Sequence, residues 1–539
     1  MPPTAGSAPR FTTEERRHTF SFRDHKRALY GLWIVGLIAL FCLHFPHLLA
    51  DFPNYSPWMD YSKYTDEGWY ANAAIRYHLT GHWYLRGDFN PGIALPVWPL
   101  LVAGLFHFTG VSLAATRTLA LLVFGLNLLL LARVLRSQGP LWIALLAVTI
   151  VVANPFLFAF SRLALLEPLL ITILLLTWLL TLRLPHASPR MQNFILVATG
   201  LLLWLLILTK TTALFILPST LFLIAHGFGF RLRASTRAFA ITAVSALLPW
   251  CIWYFLLIRP HYRVDYHYLF TSNEWPQPTN LSGWIAAFWY ALHGTLWISP
   301  ALCALAIFVL LMVLISLRSR PQTAPHPHPW PLIVASLLAA GGYIFFAGWH
   351  NSPQPRYYEV VIYPLAFILA VGTAGLLRRP RLFPLAGLAA TLTIAAVSID
   401  GVLQIADYLR HPEYTWFNAA ENLTRFIDQH PGPNHLLLSV SGDEISLLTH
   451  LPAINDDYGT WDLPYRIHVY RPGWFATWND IDPGTLTDIE TLYSLERVAQ
   501  FPAFDDPDRN LLVLYRLHPL PPGIRKYETA TEAADNASK

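Results

Sequence analysis

The sequence predicts an all-α polytopic membrane protein of about eleven transmembrane helices, with interfacial helices in its first external loop and a small C-terminal external α/β domain. Three observations carry this reading. Of 539 residues, 54% are hydrophobic and only 13% charged, whereas a soluble domain is about one quarter charged. Apolar runs of membrane-spanning length, roughly 20 residues, recur between Ala28 and Asp400. The charges in the short loops between those runs segregate by sign, and after Asp400 the composition becomes that of a soluble domain.

Residues 1–27 are polar and basic, without an apolar period, and are expected to form a disordered cytoplasmic tail. The run Ala28–Ala50 is long enough to span and has no small-residue cleavage site after it, so it reads as a signal anchor. Further spans are expected at 113–135, 140–158, 166–182, 191–208, 211–229, 238–258, 295–317, 330–347, 358–377 and 382–399. Residues 91–110 are also long enough to cross, but carry Pro91, Pro96, Pro99 and His107.

Charge decides that segment. With 91–110 in the interface, Arg133, Arg136, Arg183, Arg190, Arg231, Arg233, Arg237, Arg318, Arg320, Arg378, Arg379 and Arg381 all fall on one side, and every acid between residues 28 and 400 on the other. The positive-inside rule makes the arginine side cytoplasmic. The transmembrane domain then covers 28–403, with a first external loop at 51–112, and the chain ends outside.

Residues 404–525 read as the external α/β domain. Trp416, Phe417, Ala420, Leu423, Phe426 and Ile427 share one helical face, while His435–Val440 and Leu511–Leu517 are apolar runs of strand length. The tail 526–539 has too little apolar content to fold. The three cysteines lie in apolar runs, and His78, His82 and His350 lack ligand spacing, so no metal site is indicated and cofactor use is left open.

Candidate chemistry gathers at the outer boundary. Asp66-Glu67 lie in the first loop, Arg162 and Glu167 before the fourth span, Lys210 between the fifth and sixth, and Arg356-Tyr357 before the tenth. Such a set suits a reaction that deprotonates an acceptor and neutralises a departing lipid-linked phosphate. The chain has only five lysines, and between residues 27 and 525 the only ones are Lys63 and Lys210. A lysine is a compact point charge suited to phosphate, with headgroup anchoring as the plain alternative. Asp66-Glu67 and Glu167-Pro168 also read as helix starts. Adjacent side chains diverge, so at most one of Asp66 and Glu67 faces a substrate. Arg162 and Arg356 read equally as interface anchors.

These pieces together resemble the GT-C glycosyltransferases that use lipid-linked sugars, particularly bacterial relatives of protein O-mannosyltransferases and of the aminoarabinose transferase acting on lipid A. Thr65-Asp66-Glu67-Gly68-Trp69-Tyr70 is similar to that family's Asp-Glu motif, and Asn90-Pro91-Gly92 with Leu95-Pro96 to an altered His-Pro-Pro-Leu element. Arg117, Ser161-Arg162 with Glu167, Leu208-Thr209-Lys210, and Arg356-Tyr357 through Tyr363-Pro364 follow in the family's order. The resemblance covers about residues 28–400.

The resemblance implies inverting transfer of a sugar from a polyprenyl-phosphate donor to a hydroxyl or amine on a lipid, glycan or protein acceptor. Asp66 would be the general base. Lys63, Arg76, Arg86, Lys210 and Arg356 form the pool of phosphate-binding cations, with Lys210 and Arg356 favoured, and Glu67, Asp88 and Glu167 would orient acceptor or sugar. Membrane lipids are expected partners and nucleic acid is not. The excess of arginine over lysine suggests a GC-rich bacterial genome, hence an inner-membrane protein with a periplasmic C-terminal domain. Two other readings are a lipid-linked-sugar flippase or transporter, which would need ionisable groups near mid-bilayer, and a noncatalytic envelope scaffold binding a partner through 404–525.

Overall fold

In the computed structural model the described residues are 13–51, 62, 64–271, 276–317, 330–379, 382–430, 434–504, 508–521 and 523–525, with side chains from His25 onward. Lys63, Arg318, Arg320 and Arg381 lie outside them. Among the described residues, eight helices are long and apolar enough to cross a membrane, or nine if one bent pair counts as a span. The other two expected spans, at 140–158 and 211–229, are represented by shorter apolar helices, Leu141–Val152 and Thr211–Gly227. The segment 91–110 forms a short turn at Pro91–Ile93 and a helix at Val97–Thr109. Thirteen residues rise about 20 Å, short of a hydrocarbon core of about 30 Å.

The first helix runs from Thr13 to Cys42. One sequence expectation is corrected. The span expected at 295–317 is a helix from Pro300 to Ser316, meeting a preceding apolar helix segment at 105°. That preceding helix, Leu281–His293, is not among the expected spans; it turns Leu281, Ile285 and Trp289 outward, all more than 60% exposed, and buries Ala287 and Ala291. The Asn280 side chain caps it by accepting from Gly283 N at 2.8 Å.

The C-terminal part is an α/β unit. Its sheet runs in the order β2(Ala453–Ile454), β1(Leu437–Leu438), β3(Trp474–Trp478), β5(Leu511–Pro519), β4(Tyr493–Pro502), with β1 parallel to both neighbours and the β3–β5–β4 edge antiparallel. The helix Thr415–Gln429 buries Trp416, Ala420, Leu423 and Ile427 against the sheet core. Asp51, at the end of the first span, accepts from Trp416 N at 2.8 Å and Phe417 N at 3.1 Å and so caps that helix from outside. Burial nonetheless holds the Asp51 carboxyl up at about 6.

One contact positions the first loop. The helix Asp66–Thr80 lies against Gly442–Thr449 of the C-terminal unit, and a Cβ added at Gly68 would stand 2.2 Å from Glu444 N and 2.3 Å from Asp443 C. Both neighbours are backbone and cannot swing aside. Gly68→Ala therefore forces the two helices apart and should cost about 1–3 kcal/mol of stability, read as a lower thermal unfolding midpoint in detergent. Gly104→Ala, which meets nothing within 4 Å, should leave that midpoint unchanged or higher.

Candidate active site

Consecutive helical residues point about 100° apart, and at the start of Asp66–Thr80 this sends the two acids to different partners. Asp66 Oδ2 meets Arg356 Nη2 at 2.9 Å. Arg356 stands in the turn Pro355–Tyr358 that opens the helix Glu359–Leu377. Its guanidinium lies over the Tyr357 ring at 5.2 Å, and Lys210 Nζ lies 4.9 Å from the centroid of the same ring. Lys210 is ion-paired with Glu167 Oε1. Two cation–carboxylate pairs thus meet around one tyrosine, and all four charged residues are less than 9% exposed.

Local structure favours the placement. Glu167 opens the helix Glu167–Thr181 with Pro168 behind it, where the helix dipole stabilises a negative charge. Lys210 is the residue at the C-terminal cap of Pro189–Thr209, where the dipole stabilises a positive one. Asn127 ties the neighbouring helix to this end: it donates to Pro168 O at 2.7 Å and accepts from Thr172 at 2.5 Å.

Three residues complete the cluster that the sequence reading did not select. Tyr70, one turn beyond Asp66, places its ring 5.9 Å from Lys210 Nζ. Burial, reinforced by Asp66, pushes its hydroxyl well above the ordinary range. Tyr343 bonds Thr212 through its hydroxyl at 3.1 Å and packs edge-on to Tyr357. His350 is neutral at physiological pH, since burial, Lys210 and Arg356 push its pKa down to about 4. Aromatic and histidine residues beside an apolar run look like an ordinary interfacial belt in sequence, which hides all three.

The remaining candidates lie elsewhere. Glu67 is fully buried and clamps Arg117, with Nε–Oε1 at 2.9 Å and Nη2–Oε2 at 2.6 Å. Arg117 Nη1 also donates to Leu48 O and Ala50 O, and Ala164 N donates to Glu67 Oε1 at 2.8 Å. Arg76 and Asp88 pair at 2.6 Å in the seam with the C-terminal unit, joined by Asp443 at 3.5 Å from Arg76 and Arg466 at 3.2 Å from Asp88. Burial raises the Asp443 carboxyl to about 6, with Arg76 opposing. Arg86 stacks over Trp461 at 5.5 Å. Arg162 donates to Pro46 O and His47 O and lies 4.7 Å from the Phe158 ring, its pKa lowered to about 10 by burial. Among the described residues no group of three or more His, Cys, Asp or Glu is placed to hold a metal ion.

No protein-family model matches the chain, and no curated protein matches it in sequence. Solved structures do match. ArnT from Cupriavidus metallidurans bound to undecaprenyl phosphate superposes with a TM-score of 0.58 at 14% identity, over 90% of this chain and 98% of that one. The apo form of the same protein gives 0.58 at 13% identity over the same shares. This chain has the GT-C fold. A third structure, the Archaeoglobus fulgidus oligosaccharyltransferase in its apo form, aligns at a TM-score of 0.48 and 13% identity over 86% of this chain and 73% of that one. On the GT-C frame the cluster around Tyr357 sits where helices 167–181, 189–209 and 359–377 begin or end, at one end of the bundle.

The two acids of the Asp-Glu pair should therefore separate on substitution. Glu67→Ala removes the bidentate partner of the buried Arg117, and breaking a buried pair typically costs about 3–5 kcal/mol, so the protein should lose its sharp unfolding transition in detergent. Asp66→Asn keeps a hydrogen-bond acceptor for Arg356 and should unfold much closer to wild type in the same measurement.

Proposed function

We propose that the protein is an inverting glycosyltransferase that moves a sugar from a polyprenyl-phosphate donor to an acceptor hydroxyl or amine on a lipid, glycan or protein. The observation that carries this reading is the pairing of Asp66 with Arg356 and of Glu167 with Lys210 around Tyr357, at one end of a GT-C bundle. It provides a carboxylate base and two cations of different shape within one aromatic-walled site.

The acceptor oxygen or nitrogen attacks the anomeric carbon from the face opposite the phosphate. Its proton passes to Asp66 as the new bond forms. The bond between the anomeric carbon and the phosphate oxygen breaks, and the lipid phosphate leaves as an anion held by Arg356 and Lys210. A planar guanidinium suits two phosphate oxygens, and an ammonium suits a point contact. When a donor phosphate draws Arg356 and Lys210 away from their carboxylates, Asp66 loses the cation that stabilises its anionic form. Its basicity rises when a proton has to be taken. Tyr357 and Tyr70 supply faces for the sugar, and Glu167 is released to accept from its hydroxyls.

Orientation follows from the arginines. Arg117 lies at the site end of the helix Leu113–Gln138 and Arg133 and Arg136 at the other, while Arg356 opens and Arg378 follows the helix Glu359–Leu377. The arginine-rich end is cytoplasmic by the positive-inside rule, so the reaction occurs on the outer, periplasmic face of a bacterial inner membrane. A flippase would be expected to hold ionisable groups midway along its spans, whereas Glu167, Lys210 and Arg356 stand at helix ends.

The test is release of free polyprenyl phosphate from a panel of polyprenyl-phosphate sugars by protein reconstituted in lipid, with membrane extract as acceptor. Wild type should release lipid phosphate, and Asp66→Asn should be slower by about 10²–10⁴-fold. Movement of intact donor between leaflets without release would overturn the assignment in favour of the flippase.

A further inference from the structure

The helix that carries Asp66 is capped in an unusual way. Thr65 occupies the position where a Thr hydroxyl ordinarily accepts from the backbone N–H two or three residues on, yet it makes no capping bond. The Thr65 hydroxyl instead donates to Asp66 Oδ1 at 3.2 Å. The N–H it would have served, that of Gly68, donates to Glu444 Oε2 at 2.6 Å. Glu444 is fully buried in the first turn of Gly442–Thr449, almost 380 residues further along the chain. Its neighbours hold it there: Trp69 Nε1 donates to Val440 O at 3.2 Å, Asn72 Nδ2 to Asp443 Oδ2 at 3.3 Å, and the close approach at Gly68 fixes the spacing.

We propose that Glu444 is a positioning residue for Asp66: by capping the 66–80 helix from the C-terminal unit, it leaves the Thr65 hydroxyl to hold the Asp66 carboxylate in place. The C-terminal unit is then part of the catalytic apparatus through one hydrogen bond. The cap needs only an acceptor oxygen. Burial, with Glu67 adding to it and Arg117 opposing, pushes the Glu444 carboxyl well above the ordinary carboxylate range. This inference rests on the transferase reading above for its kinetic consequence, and not for its structural one.

Two readouts test it, one with and one without activity. When Glu444→Ala removes the external cap, the Thr65 hydroxyl turns back to Gly68 N–H and leaves Asp66. Lipid-phosphate release should then fall in kcat by about 10–100-fold with donor KM little changed. Thr65→Val should fall equally, and the double variant should be no worse than either. Glu444→Gln, which keeps the acceptor oxygen, should recover most of the rate. Hydrogen exchange at residues 67–70 should show the opposite coupling. Each single variant keeps one cap and exchanges slightly faster than wild type, whereas the double variant keeps none and exchanges faster by about tenfold or more.

If wild type is active and Glu444→Ala leaves kcat unchanged, or if the rate losses of the two single variants simply multiply in the double, the proposal is wrong. If wild type releases no lipid phosphate, the transferase reading fails by itself, and exchange alone decides the link between Glu444 and Thr65. Protection lost fully in Glu444→Ala, with nothing further in the double variant, would show that Thr65 never takes over the cap and would overturn it.

Discussion

The Glu67–Arg117 pair is the interaction on which the site depends. Arg117 belongs to a membrane helix, Glu67 to the loop helix, and their remaining hydrogen bonds reach Leu48, Ala50 and Ala164. A buried ion pair is stable only when its other donors and acceptors are also satisfied, and here those bonds draw in the end of the first span and the turn before Glu167. Four separated segments are thus fixed by one charge pair. With Glu67 held, the helical turn dictates where Asp66 points, and Arg356 is the cation it meets.

A second constraint comes from the seam with the C-terminal unit. The helix 66–80 gives one side to the bundle and another to Gly442–Thr449, and Gly68 permits the approach because a side chain there would occupy the backbone of Glu444. Farther along the same helix, Arg76 shares Asp88 with Arg466. The Asn455 backbone N–H also donates to Asp88, at 3.1 Å. Each of these contacts is buried, so breaking any one leaves a polar group without water to replace its partner. The loop is consequently held at both ends of its helix.

Much of the fold was legible in the sequence because apolar periodicity and the distribution of arginine are direct consequences of crossing a bilayer. The same reasoning separated the interfacial segment 91–110 from a true span. It failed for Leu281–His293, which packs Trp284 and Phe288 on the helix Trp330–Trp349 while turning Leu281, Ile285 and Trp289 outward. Within the candidate site, Asp66, Glu167, Lys210, Arg356 and Tyr357 were selected from charge set against an apolar background, and they come together. Arg76, Arg86, Asp88 and Arg162 were selected by the same criterion and do not join that cluster: Arg76, Asp88 and Arg86 are taken up in the seam with the C-terminal unit, and Arg162 by the carbonyls of Pro46 and His47. No spacing rule reaches from Gly68 to Glu444.

The electrostatics of the cluster also account for how charged groups persist at the edge of an apolar bundle. Burying an isolated ammonium or guanidinium is prohibitive. In this structure Arg356 and Lys210 each have a carboxylate partner, and each carboxylate or ammonium at a helix terminus has the favourable end of a dipole behind it. On the proposed reading, a phosphate seated by these cations takes Arg356 from Asp66, so the step that seats the donor also leaves the base without its counter-ion.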